Sequence, residues 1–134
     1  ICDFSACRAF GIKAKDSDFS GSEFSGAHLD SSHLQGAILN FCNFSEASLQ
    51  ECNLSKAKLF SATLQNTRLN SSALNAVVMI GAKAVGADLK NVVLDGANLT
   101  MADLSKSDFE GSSMNGVLEQ DTIYDGANLE GIRK

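Results

Sequence analysis

The sequence predicts an all-β solenoid, a chain wound into coils that stack along one axis, with one five-residue unit forming each side. Three observations carry that prediction. A large apolar residue recurs at every fifth position, a small residue precedes it by two, and every glycine falls two places after it. From Gly36 to Leu74 the large series reads Leu39, Phe44, Leu49, Leu54, Leu59, Leu64, Leu69, Leu74. The small series beside it reads Ala37, Cys42, Ala47, Cys52, Ala57, Ala62, Thr67, Ser72. This period matches neither an amphipathic helix nor an alternating strand.

The phase runs from Cys2 to Ile132 without an insertion, so residues 1–134 form a single domain of internal repeats. Of the 26 large positions, termed centres, 19 are Leu or Phe, and only Ala9, Ala14, Ala84 and Glu119 are not large fillers. Ile12 and Ile132 are the two bulky exceptions at the small position. All 11 glycines share one register, where chance would place about one in five, so the pattern is not compositional.

Each element of the unit has a physical reason. Centre and small residue are two apart, so in extended backbone both point the same way, inward. The three residues between inward pairs are mostly polar, as in Ser45, Glu46 and Ser48, and face water. Glycine, Asn and Asp suit the corners, where tight turns and positive φ are needed. One unit cannot bury its own Leu, and stacked coils can.

Segments such as Gly96-Ala97-Asn98-Leu99-Thr100 and Gly126-Ala127-Asn128-Leu129-Glu130 resemble the A-(D/N)-L-X-X unit of the pentapeptide-repeat family. The resemblance spans nearly the whole chain. It implies a right-handed quadrilateral parallel β-helix, with nearly seven coils of four pentapeptides. It also implies a functionally diverse group that includes interaction modules and DNA mimics. The mimics protect DNA gyrase or topoisomerase IV from quinolones and double their rod through a C-terminal dimer-forming helix, which this sequence lacks.

With four sides, residues twenty apart stack. The first side has centres Phe4, Phe24, Phe44, Leu64, Ala84, Leu104 and Tyr124. The second runs from Ala9 through Leu29 and Leu49 to Leu129, the third from Ala14 through Leu34 and Leu54 to Met114, the fourth from Phe19 through Leu39, Leu59 and Met79 to Glu119. At roughly 4.8 Å per coil the rod is about 30 Å long.

Four places break the pattern. Ala9 and Ala14 fill the first coil thinly, so Phe10 and Ile12 are expected to turn inward and the coil to depart from square. Val77-Val78-Met79-Ile80 has too many apolar residues for a half-exposed side. Ala84 is expected to leave a gap beneath Leu64. Glu119 at a centre calls for a bulge or for a charge let out near the end of the rod.

The cysteines Cys2, Cys7, Cys42 and Cys52 all take the small inward position. Cys2 and Cys42 share a column two coils apart, about 9–10 Å, too far to bridge. They are expected to be buried free thiols, which fits a reducing compartment such as the cytoplasm. The longest apolar runs are too short for a transmembrane helix, so no membrane insertion is expected.

Chemistry is sparse. His28 and His33 point outward from adjacent sides without further ligands, so no metal is expected. A pair among Glu23, Asp30, Glu46 and Glu51 has no pocket to act in, because the interior is filled with Leu. No catalytic residue, cofactor site or small-molecule substrate is expected, and the protein is read as not an enzyme. The triplets beginning at Asn43, Asn53, Asn70 and Asn98 reflect abundant Asn and Ser rather than glycosylation. A net charge of −5 and a pI near 4.8 have the wrong sign for direct nucleic-acid binding.

Two surfaces remain. The first and second sides are acidic, −6 together, through Glu23, Asp30, Glu46, Glu51, Asp88, Asp103, Asp108, Glu110, Asp125 and Glu130, while the third is +3. Such a surface is that of a soluble protein or of a rod imitating duplex DNA. The fourth side places Ile38, Phe41, Phe60, Val78, Ile80, Met101 and Leu118 outward, and a stripe of that size marks contact with another protein or another copy. The leading reading is therefore a non-enzymatic scaffold that binds a protein partner through its faces. The alternative is a DNA-mimicking inhibitor or protector of gyrase or topoisomerase IV.

Overall fold

The computed structural model describes residues 1–134, and the chain is a stack of coils throughout. Its sheet pairing consists of parallel bridges between residues twenty apart, from Asp3↔Glu23 to Ser113↔Arg133. The bridging residue is the one between small residue and centre. Within a column the amide of each centre donates to the coil above, as in Leu49 N to the Arg68 carbonyl at 2.7 Å and Leu54 N to the Ala73 carbonyl at 2.8 Å. Most of these backbone hydrogen bonds run along the rod axis, and those within a coil close corner turns.

Each corner is made the same way. The residue two after every centre has positive φ, from Ala6 at 53° to Gly131 at 65°. Glycine takes this conformation without steric strain. Fifteen other residues take it as well, including Phe41, Glu46, Lys56, Ala76 and Met101. Asp16, Asn66, Asn91 and Asp121 are among them. Many other Asn and Asp residues stand at the bridging position, where the side chain accepts the amide two residues on. Asp18 accepts from Ser20 N at 2.9 Å, Asn53 from Ser55 N at 3.0 Å and Asn98 from Thr100 N at 3.1 Å. The recurrent Asx residue is thus a turn lock before the corner.

The interior is filled as the five-residue count requires. Leu39, Leu49, Leu54, Leu64, Leu69 and Leu74 are buried with the small residues between them. Phe4, Phe24 and Phe44 stack in one column with centroids 4.9 and 4.8 Å apart, so that column repeats at the coil spacing. Phe19 meets Phe24 edge-on at 5.7 Å.

Serine at the small position does more than save space. At the corner between the second and third sides, the Ser72 hydroxyl accepts from Cys52 N at 3.0 Å and donates to the Leu49 carbonyl at 2.7 Å. Those two groups are the ends of one turn in the coil below, so the hydroxyl closes it. Ser112 does the same for Val92 N at 3.1 Å and the Leu89 carbonyl at 2.6 Å. A buried carbonyl and amide that would otherwise lack partners are satisfied by one side chain.

The irregular stretches are more regular than their composition suggests. The first coil is in register at Asp3, Arg8, Lys13 and Asp18. Ile12 packs against the core, but Phe10 stays outside, 60% exposed, its ring tilted toward His28 at 6.3 Å. Phe10 follows a centre and that position faces outward, so no turn inward is open to it without breaking the ladder. Val77 and Met79 are buried, whereas Val78 and Ile80 are half-buried on the outside, with the ladder intact. Ala84 is fully buried between Leu64 and Leu104, and no cavity opens beneath Leu64.

Glu119 makes no bulge. Leu118 pairs with Asn98, and Met101 N still donates to the Gln120 carbonyl at 2.9 Å. Its carboxylate is let out at the edge of the last coil, accepting from Tyr124 Oη and Lys134 Nζ, each at 2.8 Å. The Lys134 ammonium lowers the Glu119 pKa, and burial followed by this carboxylate raises that of Tyr124.

The four thiols are free. Cys42 and Cys52 are buried, donating to the Phe19 and Leu29 carbonyls at 3.0 and 3.2 Å. Burial pushes the Cys52 thiol up to about 11. The expectation fails for Cys2, which is exposed, and for Cys7, which is half-buried. Both lie in the first coil, where inward side chains have neighbours on one side only.

Candidate interaction faces

The fourth side is built from one ladder and two flanking rows. The ladder runs Asp18, Ile38, Lys58, Val78, Asn98, Leu118. Phe60 and Ile80 stand in the row just after the centres, Phe41 and Met101 at the corner. Phe41, Phe60, Met101 and Leu118 are exposed, whereas Ile38, Val78 and Ile80 are half-buried between neighbouring coils. The Phe41 and Phe60 rings meet edge to face at 5.4 Å. Asn40 holds the Phe60 backbone by accepting its amide at 3.0 Å.

The ladder register divides this side. Ile38, Phe41, Phe60, Val78 and Ile80 occupy three successive coils. Met101 and Leu118 belong to later coils, beyond Gly81, Asn98 and Thr100. The stripe expected from sequence is therefore a field of five and a separate pair. Between Asp18 and Glu119 the only charge on this side is Lys58, which makes no ion pair.

The acidic sides divide by position in the repeat. Asp30 accepts from Ser48 Oγ at 2.6 Å and Gln50 N at 2.9 Å. Asp88 accepts from Lys90 N, and Asp103 from the Ser105 amide and hydroxyl. Asp108 accepts from Glu110 N and Asn128 Nδ2 and pairs with Lys90 at 3.2 Å. Glu23 accepts from Asn43 Nδ2 at 2.9 Å. The Ser105 hydroxyl lowers the Asp103 pKa; at Asp108 burial opposes ionisation, but the Glu110 amide and Lys90 outweigh it. Glu46, Glu51, Glu110, Asp125 and Glu130 carry free carboxylates. At the bridging position Asp88, Asp103 and Asp108 reach the amide two residues on, whereas the free carboxylates stand at a corner or just after a centre.

No arrangement for chemistry stands out. One polar cleft of about 500 Å³ lies at the corner between the third and fourth sides, lined by Lys15, Asp16, Gln35, Gly36, Ser55 and Lys56. It contains the one buried side-chain atom without a partner, Gln35 Oε1, and no hydrogen bond joins the Ser55 hydroxyl to Asp16 or to either lysine. No group of three or more His, Cys, Asp or Glu is placed to hold a metal. No helix is long and apolar enough to cross a membrane.

A closed interior with all recognition chemistry on four outer walls defines a parallel β-solenoid of the scaffold type. Within it, the chain belongs to the pentapeptide-repeat family, whose description, eight repeat copies long, matches residues 2–40, 37–75 and 73–111. The fold is that family's right-handed quadrilateral β-helix. A pentapeptide repeat protein from the cyanobacterium Cyanothece 51142 is similar at 20% identity and TM-score 0.73, over 92% of this chain and 91% of that one. HetL, a pentapeptide repeat protein involved in heterocyst differentiation regulation from Nostoc sp. strain PCC 7120, aligns at 18% identity and TM-score 0.48, over 92% and 87%. QnrB1, a plasmid-mediated fluoroquinolone resistance protein, aligns at 15% identity and TM-score 0.48, over 93% and 74%. No curated protein matches the chain.

Proposed function

We propose that this protein is a non-enzymatic scaffold that docks a protein partner on its fourth side, at Ile38, Phe41, Phe60, Val78 and Ile80. One observation carries the reading. Three sides show water mainly charged and polar groups, and the fourth shows large apolar side chains around a single cation. An exposed apolar patch of this kind is retained where a partner covers it. The filled interior, and a cleft in which no hydrogen-bonded nucleophile and base meet, support the non-enzymatic half.

The DNA-imitating alternative needs free, unbroken rows of carboxylate. Here the rows alternate with cations, Arg68 beside Asp88 and Lys83 beside Asp103, and several Asp side chains are turned into corner locks. A gyrase supercoiling assay separates the readings, with no inhibition and no protection expected. The scaffold reading is tested with Phe60→Glu. The variant should keep the fold and lose cross-links or pull-down partners held by wild type. An unchanged partner set would overturn it.

A further inference from the structure

The fourth side carries information about the shape and charge of what covers it. Its backbone hydrogen bonds point along the axis, to the coils above and below, so a strand laid on this wall finds no free backbone row to pair with. Any occupant must be read through side chains. Ile38, Lys58 and Val78 follow one another in the ladder, apolar, cation, apolar. Each step is one coil, about 4.8 Å by the spacing of parallel strands, and the Phe24 and Phe44 rings are 4.8 Å apart. A helical turn rises about 5.4 Å, so side chains three or four residues apart on a helix parallel to the rod keep step across these coils within about 1 Å. Phe60 and Ile80 in one row, with Phe41 at the corner, wall the track on one edge.

Lys58 is exposed and has no acid within its own ladder nearer than Asp18, two coils away. That argues against a second copy of this chain as the occupant. A two-fold dimer centred on the field would press one Lys58 against the other in apolar surroundings. A carboxylate in the partner resolves the same position.

We infer that the fourth side binds an amphipathic helix of a partner protein whose apolar row is interrupted by one Asp or Glu, seated on Lys58 and flanked by apolar residues over Ile38 and Val78. The inference rests on the reading of this side as the docking face, and its test separates the two. The full chain is immobilised and used to select from a displayed library of helix-forming peptides with one randomised face. Selected peptides should carry an acid with apolar residues three or four positions to either side. They should lose binding to Phe60→Glu. Replacing the acid by Gln should weaken binding about tenfold, as for a hydrogen bond to a charged group. Selection on Lys58→Glu should instead enrich Lys or Arg at that position.

Peptides lost on Phe60→Glu but indifferent to Lys58→Glu would overturn the acidic helix and leave the docking face standing. Peptides indifferent to Phe60→Glu, or a selection that yields no binder, would overturn both. Sedimentation showing a wild-type dimer that Phe60→Glu dissociates would assign the face to a second copy and overturn the inference. Far-ultraviolet dichroism and melting curves of each variant establish that the coil stack is intact.

Discussion

The second and fourth sides lie opposite one another on the same rod and share one backbone. Both have a bridge every coil, a left-handed corner after every centre and a buried Leu-rich column within. They differ only outside. On the second side, outward polar groups knit coils together: Asp30 reaches Ser48 and Gln50, Asn70 reaches Gln50, and Lys90 pairs with Asp108. On the fourth, Ile38, Phe41, Phe60 and Ile80 face water. In this architecture two residues in five specify the coil and three are free to vary. One wall spends that freedom on cohesion, the other leaves it available for recognition.

The comparison breaks most visibly when the inside is changed. Leu54 is buried at 1% exposure on the third side, and Leu54→Ala should cost about 2–5 kcal/mol, read as a large drop in melting temperature. An unchanged melt would remove Leu54 from the interior. Next is Ser72→Ala, which takes the bridging hydroxyl from Cys52 N and the Leu49 carbonyl. Stranding those two buried backbone groups should cost about 1–3 kcal/mol in a denaturant titration. The variant separates a serine chosen for its size from one needed as a clasp.

Most of the inside was legible in the sequence, because Leu39 to Leu74 repeat at a spacing that no other regular structure satisfies. Phe10 and Glu119 were not fully placed, because the ladder holds register through a poor residue rather than bending around it. The corner locks were missed for a different reason. Asp and Asn recur in the sequence, but only coordinates tell a carboxylate that faces a partner from one folded back on the amide two residues on. The acidic surface therefore reads stronger in the sequence than it is, since Asp30, Asp88, Asp103 and Asp108 are partly consumed by the fold. The fourth side was legible as a stripe, but its division at Gly81 and Asn98, and the position of Lys58 inside it, required the bridge register.

Smaller effects test the corners and locks. Ala76 sits at φ 54°, where a Cβ is strained, and Ala76→Gly should raise stability by about 0.5–1 kcal/mol, the strain relieved less the entropy glycine adds to the unfolded chain. A lower melting temperature would mean that this corner holds no strain. The locks give a pH dependence. The pKa values of Asp3, Asp18 and Asp103 are lowered, first by the hydroxyl of the serine two residues on. Their contribution is therefore complete above the unfolded-state value, about pH 4, and is lost as pH falls through the lower native values, where folding must exclude protons the unfolded chain binds. Asp103→Asn keeps the lock, as Asn43 and Asn98 do, and should flatten the acid limb of a stability-against-pH curve. An unaltered limb would assign the acid sensitivity to other groups.

The smallest change in stability should come from Phe60→Glu, and it sharpens the contrast between the two walls most. Phe60 is 41% exposed, its amide is held by Asn40 whatever its side chain, and its column of centres lies behind it. Surface substitutions away from buried contacts move stability by about 0.5 kcal/mol or less, so the melt should scarcely shift while partner binding is lost. A drop of several degrees would mean that the Phe41–Phe60 contact, with ring centroids 5.4 Å apart, works for the fold as the second side's polar groups do. The fourth wall would then be a second source of cohesion instead of a docking face. A silent melt together with a lost partner would instead assign the aromatic pair to recognition, since nothing in the stack would have needed it.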